Sequence, residues 1–276
     1  VKGHFLHTAL LDVTESMRSR WFLVYTLIFG TLVAGLFVFG VTESRIMGFT
    51  GLSRLLVTYI QICMAVLPVF ILITTVRSVA GDREAGVTEY LLSLPVPLAA
   101  WFWGKMAGRF LVVFLPVFLA MSAGAAWGWY RELQVPWNMY LYYTLLLVAL
   151  SWCFLGIGML ISTLARSADF AQGAAFLVWL VLVLFMDLIL LGVMIRQQVP
   201  AETVVLVALA NPLQAFRTAA FLLFDPQLVI LGASAFVILD IFGQTGYMAF
   251  ACIYPILLGT LAAATGYWVF RRGDLV

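Results

Sequence analysis

The segment Arg77-Ser78-Val79-Ala80-Gly81-Asp82-Arg83-Glu84-Ala85-Gly86-Val87-Thr88-Glu89-Tyr90-Leu91-Leu92-Ser93-Leu94-Pro95-Val96-Pro97, followed by Trp101-Phe102-Trp103-Gly104-Lys105 and Arg109, is a charged interruption between two long apolar runs. Charged residues make up only 10% of the chain and hydrophobic residues 64%, yet seven charged side chains fall between Arg77 and Arg109. A water-soluble domain with that composition could not cover its surface with polar groups. The chain therefore reads as integral to a membrane, with the charge of this loop gathered on one side of it.

Six runs reach the roughly 20 apolar residues needed to cross a bilayer: Trp21–Val41, Leu55–Val76, Phe110–Trp129, Met139–Leu164, Phe170–Ile195 and Tyr247–Phe270. Lipid offers no hydrogen-bonding partner for the backbone, so these runs should be helices, and no alternating ten-residue pattern suggests strands. The expected fold class is an all-α membrane protein of six transmembrane helices, residues 1–276 forming one domain. Residues 1–20 should hold a surface helix, 77–105 an inner loop and 196–246 an outer segment.

Placing the N-terminus inside puts ten Lys and Arg residues on inner segments and five on outer ones. By the positive-inside rule both termini are cytoplasmic, in the plasma (inner) membrane. Trp127, Trp129, Trp137, Tyr140, Tyr142 and Tyr143 suit an outer interface, and Trp21, Trp101, Trp103 and Trp268 an inner one. Phe5, Leu6, Ala9, Leu10 and Val13 recur at helical spacing, as in an amphipathic helix on the inner surface. The run after residue 20 is too long, and lacks the small-residue ending, for a signal peptide.

In the charged loop, Gly81 and Gly86 flank Asp82-Arg83-Glu84, so the chain is expected to turn on both sides. Val87 to Ser93, with Glu89, Tyr90, Leu91 and Leu92, suits a short helix across the membrane face, stopped by Pro95 and Pro97. Such a lug is one a cytosolic partner could grip; an ordinary solvated loop that fixes topology would show the same charges.

Other segments are less specific. Between Arg196 and Gly246 the apolar stretches are too short to span, and Asn211-Pro212 and Asp225-Pro226 are turn or helix-start signals. Two or three short helices on the outer face are expected, with a re-entrant pair as the alternative. Asp187, inside the fifth run, should face a pathway or hydrogen-bond to a neighbouring helix, since a carboxylate in lipid costs ~2.5–3.5 kcal/mol. His4 and His7 make no convincing metal site, and Cys63, Cys153, Cys252 and the methionines read as packing. No metal is expected. There is no Gly-x-x-x-x-Gly-Lys-Ser/Thr pattern, so the chain cannot hydrolyse ATP alone. No basic stripe points to nucleic acid.

The loop from Gly81 to Pro97 followed by Gly104-Lys105 resembles the inner loop of type-2 ABC transporter permeases, as do the six-span layout, the N-terminal surface helix and the short C-terminus. The resemblance implies a permease rather than an enzyme. Two copies would pair around a pathway, and two ATPase subunits would carry the ATP and Mg. Asp82, Arg83, Glu84, Gly86, Glu89, Leu92, Ser93 and Pro95 would form the ATPase dock. Asn211-Pro212-Leu213-Gln214-Ala215-Phe216-Arg217 and the terminal Phe270-Arg271-Arg272-Gly273-Asp274-Leu275 are similar to the NosY-like permeases, which serve nitrous oxide reductase maturation. That likeness implies a sulfur or copper cargo. It also implies a NosD-like periplasmic partner, received by Asn211, Pro212, Phe216, Arg217 and Phe221; Asp187 stands as a pathway candidate on its place in the fifth run alone. The contrasting expectations are a membrane scaffold that joins an ATPase to a periplasmic factor and translocates nothing, and a type-2 ABC exporter for another cargo.

Overall fold

The structure is a computed structural model that describes residues 2–18, 22–31, 51–88, 90, 96–130, 132, 135–185, 201–224 and 233–272. Every regular element among the described residues is helical. In chain order these are α1 (Lys2–Arg18), α2 (Phe22–Thr31), α3 (Gly51–Thr75), α4 (Arg77–Glu84), α5 (Leu98–Tyr130), α6 (Trp137–Leu164), α7 (Ala168–Leu180, continued by a π-helical turn at Val181–Phe185), α8 (Ala201–Ala210), α9 (Pro212–Phe224) and α10 (Ala233–Arg272).

Among the described residues, four helices are long and apolar enough to cross a membrane: Thr58–Glu84, Leu98–Tyr130, Trp137–Leu164 and Asp240–Arg272. They correspond to the second, third, fourth and sixth expected runs. The first and fifth appear as the shorter apolar helices Phe22–Thr31 and Ala168–Leu184, with the rest of those runs outside the described residues. At about 1.5 Å per residue, the 28 residues of α6 extend about 42 Å, beyond the ~30 Å hydrocarbon core.

The centre of the bundle is α6. Tyr143, Leu146, Leu147, Leu150, Phe154, Leu155 and Met159 are fully buried along it. Glycines let its neighbours approach at backbone distance, the usual route to tight helix packing in lipid. A Cβ on Gly156 would collide with the Gly259 carbonyl of α10, and one on Gly259 would meet the Trp152 carbonyl at 2.6 Å. On α3, Thr75 lies 3.0 Å from the Cβ position of Gly158.

A second glycine pair seats α1. Gly104 and Gly108, one turn apart on α5, face the Phe5 and Ala9 carbonyls, which lie 2.8 and 2.6 Å from their Cβ positions. The N-terminal helix leaves Leu6, Leu10 and Leu11 exposed and buries Ala9 and Asp12. It is docked edge-on to α5 as well as facing outward.

The bundle has two chemically different ends. At the charged end lie α1, α4 and the first turns of α5. At the aromatic end lie Trp127, Trp129, Tyr130, Trp137 and Tyr140. There α8 and α9 pack in among the long helices, held by phenol hydroxyls that donate to backbone carbonyls. Tyr143 bonds the Ala220 carbonyl at 3.0 Å and Tyr254 that of Ala210. Within α10, Gly243 (φ 65°, ψ 171°) turns the helix axis, a conformation that L side chains avoid.

Because the Gly156–Gly259 approach is backbone against backbone, Gly156→Ala has no side chain to displace. Overpacking of this kind costs about 1–3 kcal/mol or more. Gly156→Ala is expected to lower the thermal midpoint in detergent clearly, whereas Gly30→Ala, whose Cβ meets nothing within 4 Å, leaves it unchanged or slightly raised.

Candidate functional site

The charged end is organised by two cations one turn apart on α5. Lys105 is 8% exposed. Its ammonium forms an ion pair with Asp82 on α4, donates to the Ser78 carbonyl at 3.0 Å and lies 5.0 Å from the Trp101 ring centre. Arg109 donates to the Thr74 carbonyl at the end of α3, and its Nε lies 3.3 Å from Oδ1 of Asp12 on α1. A buried ammonium or guanidinium is tolerated only when paired and hydrogen-bonded, and both are. Asp12 is 4% exposed, and its Oδ2 has no hydrogen-bond partner among the described residues. Burial pushes its carboxyl above the ordinary value, against the opposing pull of Arg109 and Lys105.

Helix α4 is fixed from a third side. Its N-cap, Val76, has no side chain to offer. Instead Ser162 of α6 places its hydroxyl oxygen 2.9 Å from the Val79 N–H and 3.1 Å from that of Ala80, and accepts from both. This caps α4 from a neighbouring helix, satisfying donors that every helix start leaves open. Ser78 adds a contact to Met159 sulfur at 3.3 Å, and Arg83 donates to the Ala165 carbonyl at 3.4 Å, where α6 ends in extended backbone.

The expected turn at Gly81 is replaced by helix: Gly81 lies within α4, because the α6 cap and the burial of Val76, Val79 and Ala80 carry the helix on to Glu84. The turn comes once, at Gly86, whose φ of 69° is the left-handed conformation. Beyond it Val87, Thr88 and Tyr90 are helical. Of the residues expected to dock a partner, Asp82 and Arg83 face inward and hold the loop in place, while Glu84 and Gly86 are exposed. Val87 and Tyr90 join them on the surface. Glu89, Leu92, Ser93 and Pro95 lie outside the described residues, as does Asp187.

The five residues expected to receive an outer partner sit differently from a free surface. Asn211 is 1% exposed. Its amide donates to the Leu182 carbonyl at 2.7 Å, and its Oδ1 accepts from the Leu213 N–H at 2.9 Å. That makes Asn211 the N-cap of α9 with Pro212 at the first helical position, the arrangement such a pair favours. Phe216 is 1% exposed and Pro212 is buried. These three side chains close the core of this chain. Arg217 and Phe221 are half-buried.

Two contributors escaped the sequence reading. Ser162 was legible only as a small residue in a span, and the Gly104-x-x-x-Gly108 pair is a packing signal hidden inside the Gly-Lys motif.

A family profile described as ABC-2 family transporter protein matches residues 6–275. The chain belongs to this family. It is similar to the "Probable ABC transporter permease protein NosY" of Stutzerimonas stutzeri, 24% identical over 212 residues covering 75% of this chain and 77% of that protein. It is similar also to the protein of the same description from Pseudomonas aeruginosa, 24% identical over 194 residues, 68% of this chain and 70% of that one. The protein is thus a multi-pass membrane permease of an ABC transporter, and the family implies an ABC ATPase as partner.

Removing one member of a buried ion pair costs more than removing both, about 3–5 kcal/mol for fully buried pairs and toward the lower end here. Asp82→Ala should therefore lower the thermal midpoint, and Asp82→Ala with Lys105→Met should recover most of the loss. Equal destabilisation by the single and double variants would show that the pair does not hold the loop.

Proposed function

We propose that this chain is one half of a homodimeric type-2 ABC permease, with six spans and both termini in the cytoplasm of a plasma-membrane-bound cell. Two ATPase subunits would dock on the tip formed by Glu84, Gly86, Val87 and Tyr90. The observation that carries this reading is the contrast between tip and base. The tip is exposed, while Asp82, Arg83 and Ser78 just behind it are tied to α5 and α6. A solvated loop that merely fixed topology would not require its base to be clamped to two spans. Force applied at the tip would reach α3 through Val76 and α6 through Ser162.

A dimer suits the filled interior of the single chain, where Phe102, Leu150, Phe154 and Phe216 occupy the centre. The transport route would then run between two copies. The likeness to NosY-named permeases makes a small sulfur or copper species for nitrous oxide reductase maturation the proposed cargo, with a NosD-like periplasmic protein as a further partner. With Asn211, Pro212 and Phe216 buried, that partner would meet other parts of the outer segment, Arg217 and Phe221 being the more accessible of the five residues.

Glu84→Lys combined with Tyr90→Ala should leave membrane insertion and the thermal midpoint intact. The cognate ATPase should co-purify about tenfold less well, the factor that ~1.4 kcal/mol of contact energy gives. Undiminished co-purification together with unchanged ATPase stimulation would remove the dock from this tip.

A further inference from the structure

A cavity of about 200 Å³ opens at the charged end between α1, α2, α3, α5 and α7. Its rim carries two exposed charges of opposite sign, Glu15 of α1 and Arg77 of α4. Arg109 stands on its inner wall, and its floor is apolar, made by Phe70, Val112 and Val113. Arg77 has no ion pair among the described residues. Arg109 gives one N–H to the Thr74 carbonyl, and its Nε, although near Asp12, makes no hydrogen bond. A guanidinium has five such donors, so Arg109 retains capacity toward the cavity.

We propose that this cavity seats the headgroup of phosphatidylethanolamine. The chemistry is specific at three levels. Two guanidiniums supply the charge-assisted donors that phosphate oxygens take. Glu15 on the same rim supplies an acceptor for a primary ammonium. The apolar floor continues into membrane-spanning α3 and α5, where acyl-glycerol can follow. An anionic lipid without the ammonium would leave Glu15 facing a like charge, and a trimethylammonium headgroup has no N–H to give it. Free phosphoethanolamine carries the same polar groups but has nothing to place on Phe70, Val112 and Val113. The site's position, where spanning helices emerge into charge, is the level of lipid headgroups.

The test is native mass spectrometry of the full-length protein released from mixed bilayers of phosphatidylethanolamine and phosphatidylglycerol. The wild-type chain should retain the ethanolamine lipid in preference, by roughly threefold to tenfold, as one or two charge-assisted contacts allow. Glu15→Gln should abolish that preference, lowering retention of the ethanolamine lipid and raising that of phosphatidylglycerol, and Arg77→Gln should reduce both. Equal retention of the two lipids by the wild-type chain, or an unaltered preference in Glu15→Gln, overturns the proposal. Millimolar glycerophosphoethanolamine should not displace the lipid; full displacement would show a soluble phosphoethanolamine site instead. Should either variant fail to fold, a photoreactive phosphatidylethanolamine bound to wild-type protein gives the answer. Crosslinks on peptides containing Phe70 or Val112 support the seat, and crosslinks confined to other surfaces overturn it.

Discussion

Lys105 is buried and Arg109 partly so, which favours pairing of both, and what pairs them determines how the charged end is built. One turn apart on α5, each takes a carboxylate and a backbone carbonyl: Lys105 takes both from α4, at Asp82 and Ser78, and Arg109 takes them from α1 and α3, at Asp12 and Thr74. Four elements, α1, α3, α4 and α5, therefore meet at two side chains. In lipid, apolar contact alone gives little directional preference between helices, since the surrounding tails are equally apolar. Ion pairs and carbonyl contacts supply the direction, and the glycines at positions 104 and 108 allow α1 close enough to complete them.

The same logic governs the middle of the bundle. Pro116 inside α5 removes a backbone donor, and two buried phenols bond carbonyls on either side of it: Tyr25 to Val113 at 3.0 Å and Tyr59 to Val117 at 2.7 Å. The carbonyl that Pro116 leaves without its helical donor is that of Val112, four residues back, and the phenols anchor the carbonyls beside and beyond it, steadying the turn that the proline loosens. These phenols also join α2 and α3 to α5, so a potential weakness in one helix becomes a point of attachment for two others.

Much of this was readable from residue order alone. Runs of apolar residues gave four spans, the fourth close to its observed limits, Trp137–Leu164, but the third began at Phe110 where the helix begins at Leu98, because Lys105 and Arg109 are carried inside the helix. Asn211-Pro212 marked a helix start, and Asn211 is its cap. The unread part depended on contacts between distant positions. Gly81 looks like a turn until Ser162 is known to cap the helix that contains it. Asn211, Pro212 and Phe216 look like surface because their helix is too short to span; only the packing of α9 among α3, α6 and α10 shows them to be core. Lys105 reads as a loop charge, and its inward orientation follows from Asp82 and Ser78 being within reach.

The Gly243 bend divides the molecule mechanically. At the charged end, a displacement of Glu84 meets stiffness: ion pairs, a cap donated by another helix and a carbonyl contact all resist it. At the aromatic end, α10 carries an articulation, with Ala233–Phe242 on one side of the glycine and the long arm to Arg272 on the other. Trp101 stacks on Phe270 at 5.3 Å, so the far end of that arm is fastened to α5 beside Lys105. A push at the proposed dock would thus be carried as by a lever, rigid where the load enters and jointed where it leaves.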